Sequence, residues 1–92
     1  MVVAEFSVVP AVEGSFRPYV KAALAEIESS GLKYEVGAMG TTLEGELDEV
    51  LKAIGSAHRA VLAAGARRLV TSIKIDERRN GVSIDGKLEG FR

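Results

Sequence analysis

The chain has no cysteine among its 92 residues. That removes a disulfide scaffold, a thiolate metal site and a cysteine nucleophile together, and it suits a reducing cytosol. No apolar run approaches the roughly 20 residues needed to span a bilayer. The opening "MVVAEFSVVP" is apolar, but Glu5 interrupts it and it lacks the basic flank of a signal peptide, so it reads as a first strand. Neither sign of charge dominates: 12 basic and 13 acidic residues leave a formal net charge of -1. This gives no general reason to expect nucleic acid or an anionic membrane as partner. The single histidine, His58, has no second histidine or cysteine with which to hold zinc, and no serine, histidine and acid fall together as a triad. It reads as a structural residue beside a helical core stripe. "GAMGTTLEG" lacks the spacing of a nucleotide-phosphate loop.

What remains is a periodic pattern. Val2 to Val9 alternates, sending Ala4, Phe6 and Val8 to one face and Val3, Glu5, Ser7 and Val9 to the other. Pro10 ends that strand. Ser15 is placed to cap a helix with Pro18 in its first turn, and Val20, Ala23, Leu24 and Ile27 follow at helical spacing up to "SSG". "LKYEV" predicts a short strand, and Ala38 to Gly45 a third whose glycines mark bulges or close approach. Asp48 is the expected cap of a second helix with Leu51, Ile54, Ala57, Val61 and Leu62 on its apolar face. Val70 to Ile75 is the fourth strand.

The order β-α-β-β-α-β, with right-handed crossovers, predicts an α+β ferredoxin-like sandwich, a four-stranded antiparallel sheet with two helices on one face. Residues 1–92 form one domain. The segment from about residue 80, "NGVSIDGKLEGFR", carries three glycines and predicts a frayed tail or a short docking helix. With two helices the second sheet face is left open, and Val3 and Val9 on it suggest cover by another subunit.

Parity assigns Glu5, Ser7, Thr42, Glu44, Ser72 and Lys74 to that open face. Two carboxylates, three hydroxyls and an ammonium suit a small ligand bearing amino or hydroxyl groups, or equally a solvated face or an intersubunit salt-bridge network. Glu44, between Gly40 and Gly45, is the foremost candidate for ligand contact. Tyr34 and Met39 are either the apolar wall of a pocket or core residues.

Taken together, "MVVAEFSVVP", "GLKYEVGAMGTTLEGELDEV" and "TSIKIDERR" resemble the small thiamine-binding protein family over about residues 1 to 80. The resemblance implies a ferredoxin-like subunit that forms a homo-oligomer, a tetramer built from dimers or the dimer alone, with thiamine or its hydroxymethylpyrimidine portion bound where open sheet faces meet. It carries the family's polar first-strand position to Ser7, its "MGT...EG" segment to Met39, Gly40, Thr41, Glu44 and Gly45, and its "KIDxR" segment to Lys74 and Asp76. The ligand-binding set expected here is Glu5, Ser7, Tyr34, Met39, Thr42, Glu44 and Lys74. The implied function is non-catalytic binding for storage, delivery or sensing, with no required cofactor or metal. The alternative is a regulatory interaction module responding to another metabolite such as an amino acid. An enzyme would need Glu44 paired with Lys74 or with His58, and His58 is expected across the sheet.

Overall fold

Alternation holds β1, Val2–Pro10, in an extended run, and Pro10 closes it as the last residue paired with the neighbouring strand. Ser15 is not the helix cap: Phe16 holds that position without a side-chain bond, and the Ser15 hydroxyl, one residue earlier, accepts a hydrogen bond from the Arg17 N–H at 3.1 Å. Helix α1, Arg17–Ser29, starts there with a proline in its first turn. Gly31, at φ +74°, turns the chain out of the helix. Strands β2, Lys33–Val36, and β3, Thr41–Gly45, follow. Between them Gly37 donates to the Gly40 carbonyl at 2.8 Å. That turn occupies residues 37–40, so β3 starts three residues later than the apolar pattern suggested. Helix α2, Leu47–Ala63, is preceded by Glu46 at the cap position. Asp48 is therefore not the cap; with Glu49 it sits inside the first turn, where a carboxylate favours the positive end of the helix dipole. Strand β4, Leu69–Asp76, completes the sheet. The computed structural model describes residues 1–92.

The sheet order is β2-β3-β1-β4, antiparallel throughout. The register between β1 and β3 runs without interruption from Val2 opposite Gly45 to Phe6 opposite Thr41. The glycines therefore mark close approach and not bulges: a Cβ at Gly45 would come within 3.0 Å of the Leu32 side chain. Val2, Ala4, Phe6 and Leu43 point to the side covered by α1 and α2, where they pack with Ile27, Val50, Ile54 and Val61. This is the antiparallel ferredoxin-like sheet expected from the order of elements.

The helix count also needs correction. The chain has three helices, not two. Helix α3, Ile84–Leu88, is capped by the Ser83 hydroxyl, which accepts from the Gly86 N–H at 2.9 Å. Its polar partners are Glu44, Lys33 and Asp76. Cross-strand pairing puts these beside Val3, on the face away from α1 and α2. Helix α3 thus covers one end of the face expected to be bare, which is consistent with the burial of Val3 and Ile84 there. No helix is long and apolar enough to cross a membrane.

Candidate functional site

Four residues share one row across the open face, since Glu35 pairs with Thr42, Thr42 with Glu5, and Glu5 with Lys74. Side chains in directly paired positions lie on the same face, within reach of one ligand. Beside this row is a shallow recess of about 400 Å³, lined by Glu5, Glu35, Val36, Met39, Gly40 and Thr42 among others. Lys74 Nζ lies 3.5 Å from Glu5 Oε1, and the ammonium is largely in solvent. Such a pair contributes at most about 1 kcal/mol, so Glu5 stays available as an acceptor. Glu35 is held from the other side by Arg92, at 3.1 Å.

Gly40 sets the shape of this recess. A Cβ there would come within 2.9 Å of the Phe6 carbonyl oxygen and 3.2 Å of Glu5 Cγ. The first is backbone and cannot swing aside. Gly40→Ala is therefore expected to displace the turn and to cost about 1 to 3 kcal/mol, in the range of overpacked sites, as read by urea unfolding. Unchanged stability would show that the turn yields freely.

Behind the same turn, on the helix side, lies a second cavity of about 430 Å³. Its walls are mainly apolar, with Phe6, Val8, Phe16, Val20, Leu24 and Met39 contributing. Ser7 lines it as well. Residues 37–40 border both spaces and divide an acidic recess from an apolar cavity. Met39 is 88% exposed at the tip of the turn, so it is an apolar rim residue of both spaces and not a core residue.

The remaining expected site residues lie outside this cleft. Tyr34 pairs with Leu43 and so points to the helix side, half-exposed, lining neither space. Glu44 is under α3: its Oε1 accepts a hydrogen bond from the Ile84 N–H at 2.7 Å. Beside it, Lys33 pairs with Asp85, Lys87 with Asp76, and Arg92 bridges Asp85 and Glu35. His58 Nδ1 is 2.7 Å from Thr71 Oγ1, and Thr71 pairs with Val8, on the helix side of the sheet. It faces away from Glu5 and Thr42.

The ion pairs under α3 shift the titration of their members. Hydrogen bonding to Lys87 holds Asp76 below the usual carboxylate range, and hydrogen bonding to Lys33 and Arg92 does the same for Asp85. Lys33 is raised in turn by its bond to Asp85. A carboxyl with a depressed value in the folded chain stabilises it above the unfolded value, and that contribution is lost as pH falls through the folded one. The lysine contribution is lost only in alkali, as pH rises through its raised value. Amide protection at residues 84–88, taken relative to the intrinsic exchange rate at each pH, is accordingly expected to fall below about pH 4 and in high salt. Protection independent of both would contradict an ionic docking of α3.

Sequence reasoning did not pick out Glu35, or Phe16 at the cap of α1 and Val20 within it, as site residues. Glu35 carried a signal, since it falls opposite Thr42 once the hairpin register is drawn. Phe16 directly follows the expected Ser15 cap, outside the stripe of Val20, Ala23, Leu24 and Ile27, and carried none.

The profile of the family described as thiamine-binding protein matches residues 4–92. A UPF0045 protein of Methanocaldococcus jannaschii is 50% identical over 80 residues, covering 86% of this chain and 79% of that one. Among solved structures, a domain of unknown function from Bacillus cereus superposes with a TM-score of 0.92 at 46% identity, over 99% of this chain and 89% of the other. A candidate thiamine biosynthesis/salvage protein of Thermotoga maritima superposes with a TM-score of 0.90 at 35% identity, over 99% and 98% of the two chains.

Proposed function

The chain belongs to the thiamine-binding protein family with its ferredoxin-like fold, and from that premise we propose that it binds thiamine or hydroxymethylpyrimidine in the cleft at the 37–40 turn. Membership places it with small-molecule binders that do no catalysis. The role is storage, delivery or sensing. The observation that carries the reading is the shared wall: an acidic recess and an apolar cavity meet at one glycine-bounded turn.

Thiamine has matching parts. Its thiazolium ring is cationic, and Glu5 and Glu35 can receive it in the recess by exchanging their solvent-exposed partners Lys74 and Arg92. Its aminopyrimidine is flat and partly apolar, as a cavity walled by Phe16, Val20 and Met39 requires. The hydroxyls of Thr42 and Ser7 supply polar contacts at the mouth. Glu44 and Lys74 act at the margin, the first by anchoring α3 and the second by pairing with Glu5.

A homo-oligomer built from dimers fits the same surface. Val9 and Val70 are directly paired, both about half-exposed, on the face that α3 leaves uncovered. A second copy over this patch would remove apolar surface from water and wall in the recess.

Isothermal titration with thiamine and with hydroxymethylpyrimidine tests the proposal, with the oligomer mass measured in the same buffer. Saturable heat with either ligand is expected. A folded, assembled protein that binds neither, or that selects an amino acid, would favour the regulatory module instead.

A further inference from the structure

We infer that the unpaired backbone edge of Val8 recognises a planar heteroaromatic ligand through an amidine edge, a ring nitrogen beside an amino group. The inference rests on the thiamine reading for its first ligand and names the atoms that would hold it.

The argument starts from strand lengths. Strand β3 ends its pairing with β1 at Phe6 opposite Thr41, whereas β1 runs on through Ser7, Val8 and Val9 paired only with β4. In an antiparallel sheet the N–H and C=O of one residue point to the same edge, and successive residues alternate. The Phe6 carbonyl oxygen lies against Gly40, close enough to meet a Cβ at 2.9 Å, so the Phe6 groups face β3. Those of Ser7 and Val9 then face β4, and those of Val8 face the β3 side again.

Nothing continues the ladder there. Extending the register would put Met39 opposite Val8, but residues 37–40 have left the strand in the turn closed by Gly37 and Gly40. None of the backbone bonds outside the ladders involves Val8. The donor and acceptor of Val8 therefore open toward the cavity that Val8 itself helps to line, with Phe16, Val20, Leu24 and Met39 around it. A backbone pair in apolar surroundings needs partners.

The chemistry of the partner follows. One N–H and one C=O side by side are satisfied by a ring carrying an acceptor next to a donor. An aminopyrimidine does this with its ring nitrogen and its amino group, while its two faces meet the apolar walls. Glu5 in the adjoining recess, loosely paired with a largely solvated Lys74, can accept a further hydrogen bond from an amino-bearing ring. Side-chain substitutions in the recess would alter attraction, and the Val8 edge would set the orientation of the ring.

The test follows the Val8 amide resonance while wild-type protein is titrated with hydroxymethylpyrimidine, with its analogue lacking the amino group, and with cytosine. Titration of Val8→Pro runs in parallel; it deletes the free N–H and leaves the β4 ladder intact. A large Val8 shift is expected with the amino compound, together with about a tenfold loss of affinity for the analogue and for the variant. Binding that moves Glu5 and Thr42 but not Val8 would overturn the assignment and leave the thiamine reading standing. A Val8 shift with cytosine alone would keep the assignment and remove thiamine. No binding by any of the three, or a Val8 amide already protected in the ligand-free oligomer, would overturn it.

Discussion

Replacing Leu43 with alanine is expected to cost about 2 to 5 kcal/mol, the range for emptying a buried leucine site. Leu43 is fully buried at the centre of β3, between Ala4 of β1 and Tyr34 of β2, in the cluster with Val50 and Ile54 of α2. The site cannot collapse easily, because a sheet holds it on one side and a helix on the other. Domains of this kind have total stabilities of only about 5 to 15 kcal/mol, so much of the folded margin would go. Met39→Ala provides the contrast: at 88% exposure it is expected to change stability by less than about 0.5 kcal/mol. Urea unfolding of both variants measures the difference. Similar losses at the two positions would contradict the placement of the core.

The second large effect concerns binding. Val20→Trp is expected to weaken thiamine binding by at least about tenfold, equivalent to about 1.4 kcal/mol, with the fold retained. Val20 is half-buried on α1 and lines the apolar cavity of about 430 Å³. An indole there enters existing space, so it competes with the ligand without displacing the packed core. Isothermal titration of the variant reads the loss. Unchanged affinity would move the ligand out of the cavity, toward the acidic recess alone.

Much of this was legible because a strand has only two faces. Glu5 in β1 fixed the parity of its neighbours, and Leu43 as the inward residue of β3 then fixed Thr42 and Glu44 on the other side. The structure keeps both assignments. What parity could not provide was the third dimension. Glu44 looked free because its partner, the Ile84 N–H, is 40 residues away in sequence, and α3 is only five residues long. A helix so short has little propensity of its own; it is held by the Ser83 cap and by ion pairs with Lys33 and Asp76. The apolar cavity was hidden for a related reason. It exists because β3 begins at Thr41 instead of Ala38, and a turn closed by Gly37 and Gly40 decides that boundary.

The most direct test of the central claim is a crystal structure of the protein grown with thiamine. The account predicts the ligand at the 37–40 turn, with its aminopyrimidine in the cavity beside Val8, Val20 and Met39 and its thiazolium toward Glu5 and Glu35. Thiamine seated between α1 and α2, or along the outer edge of β4, would contradict it.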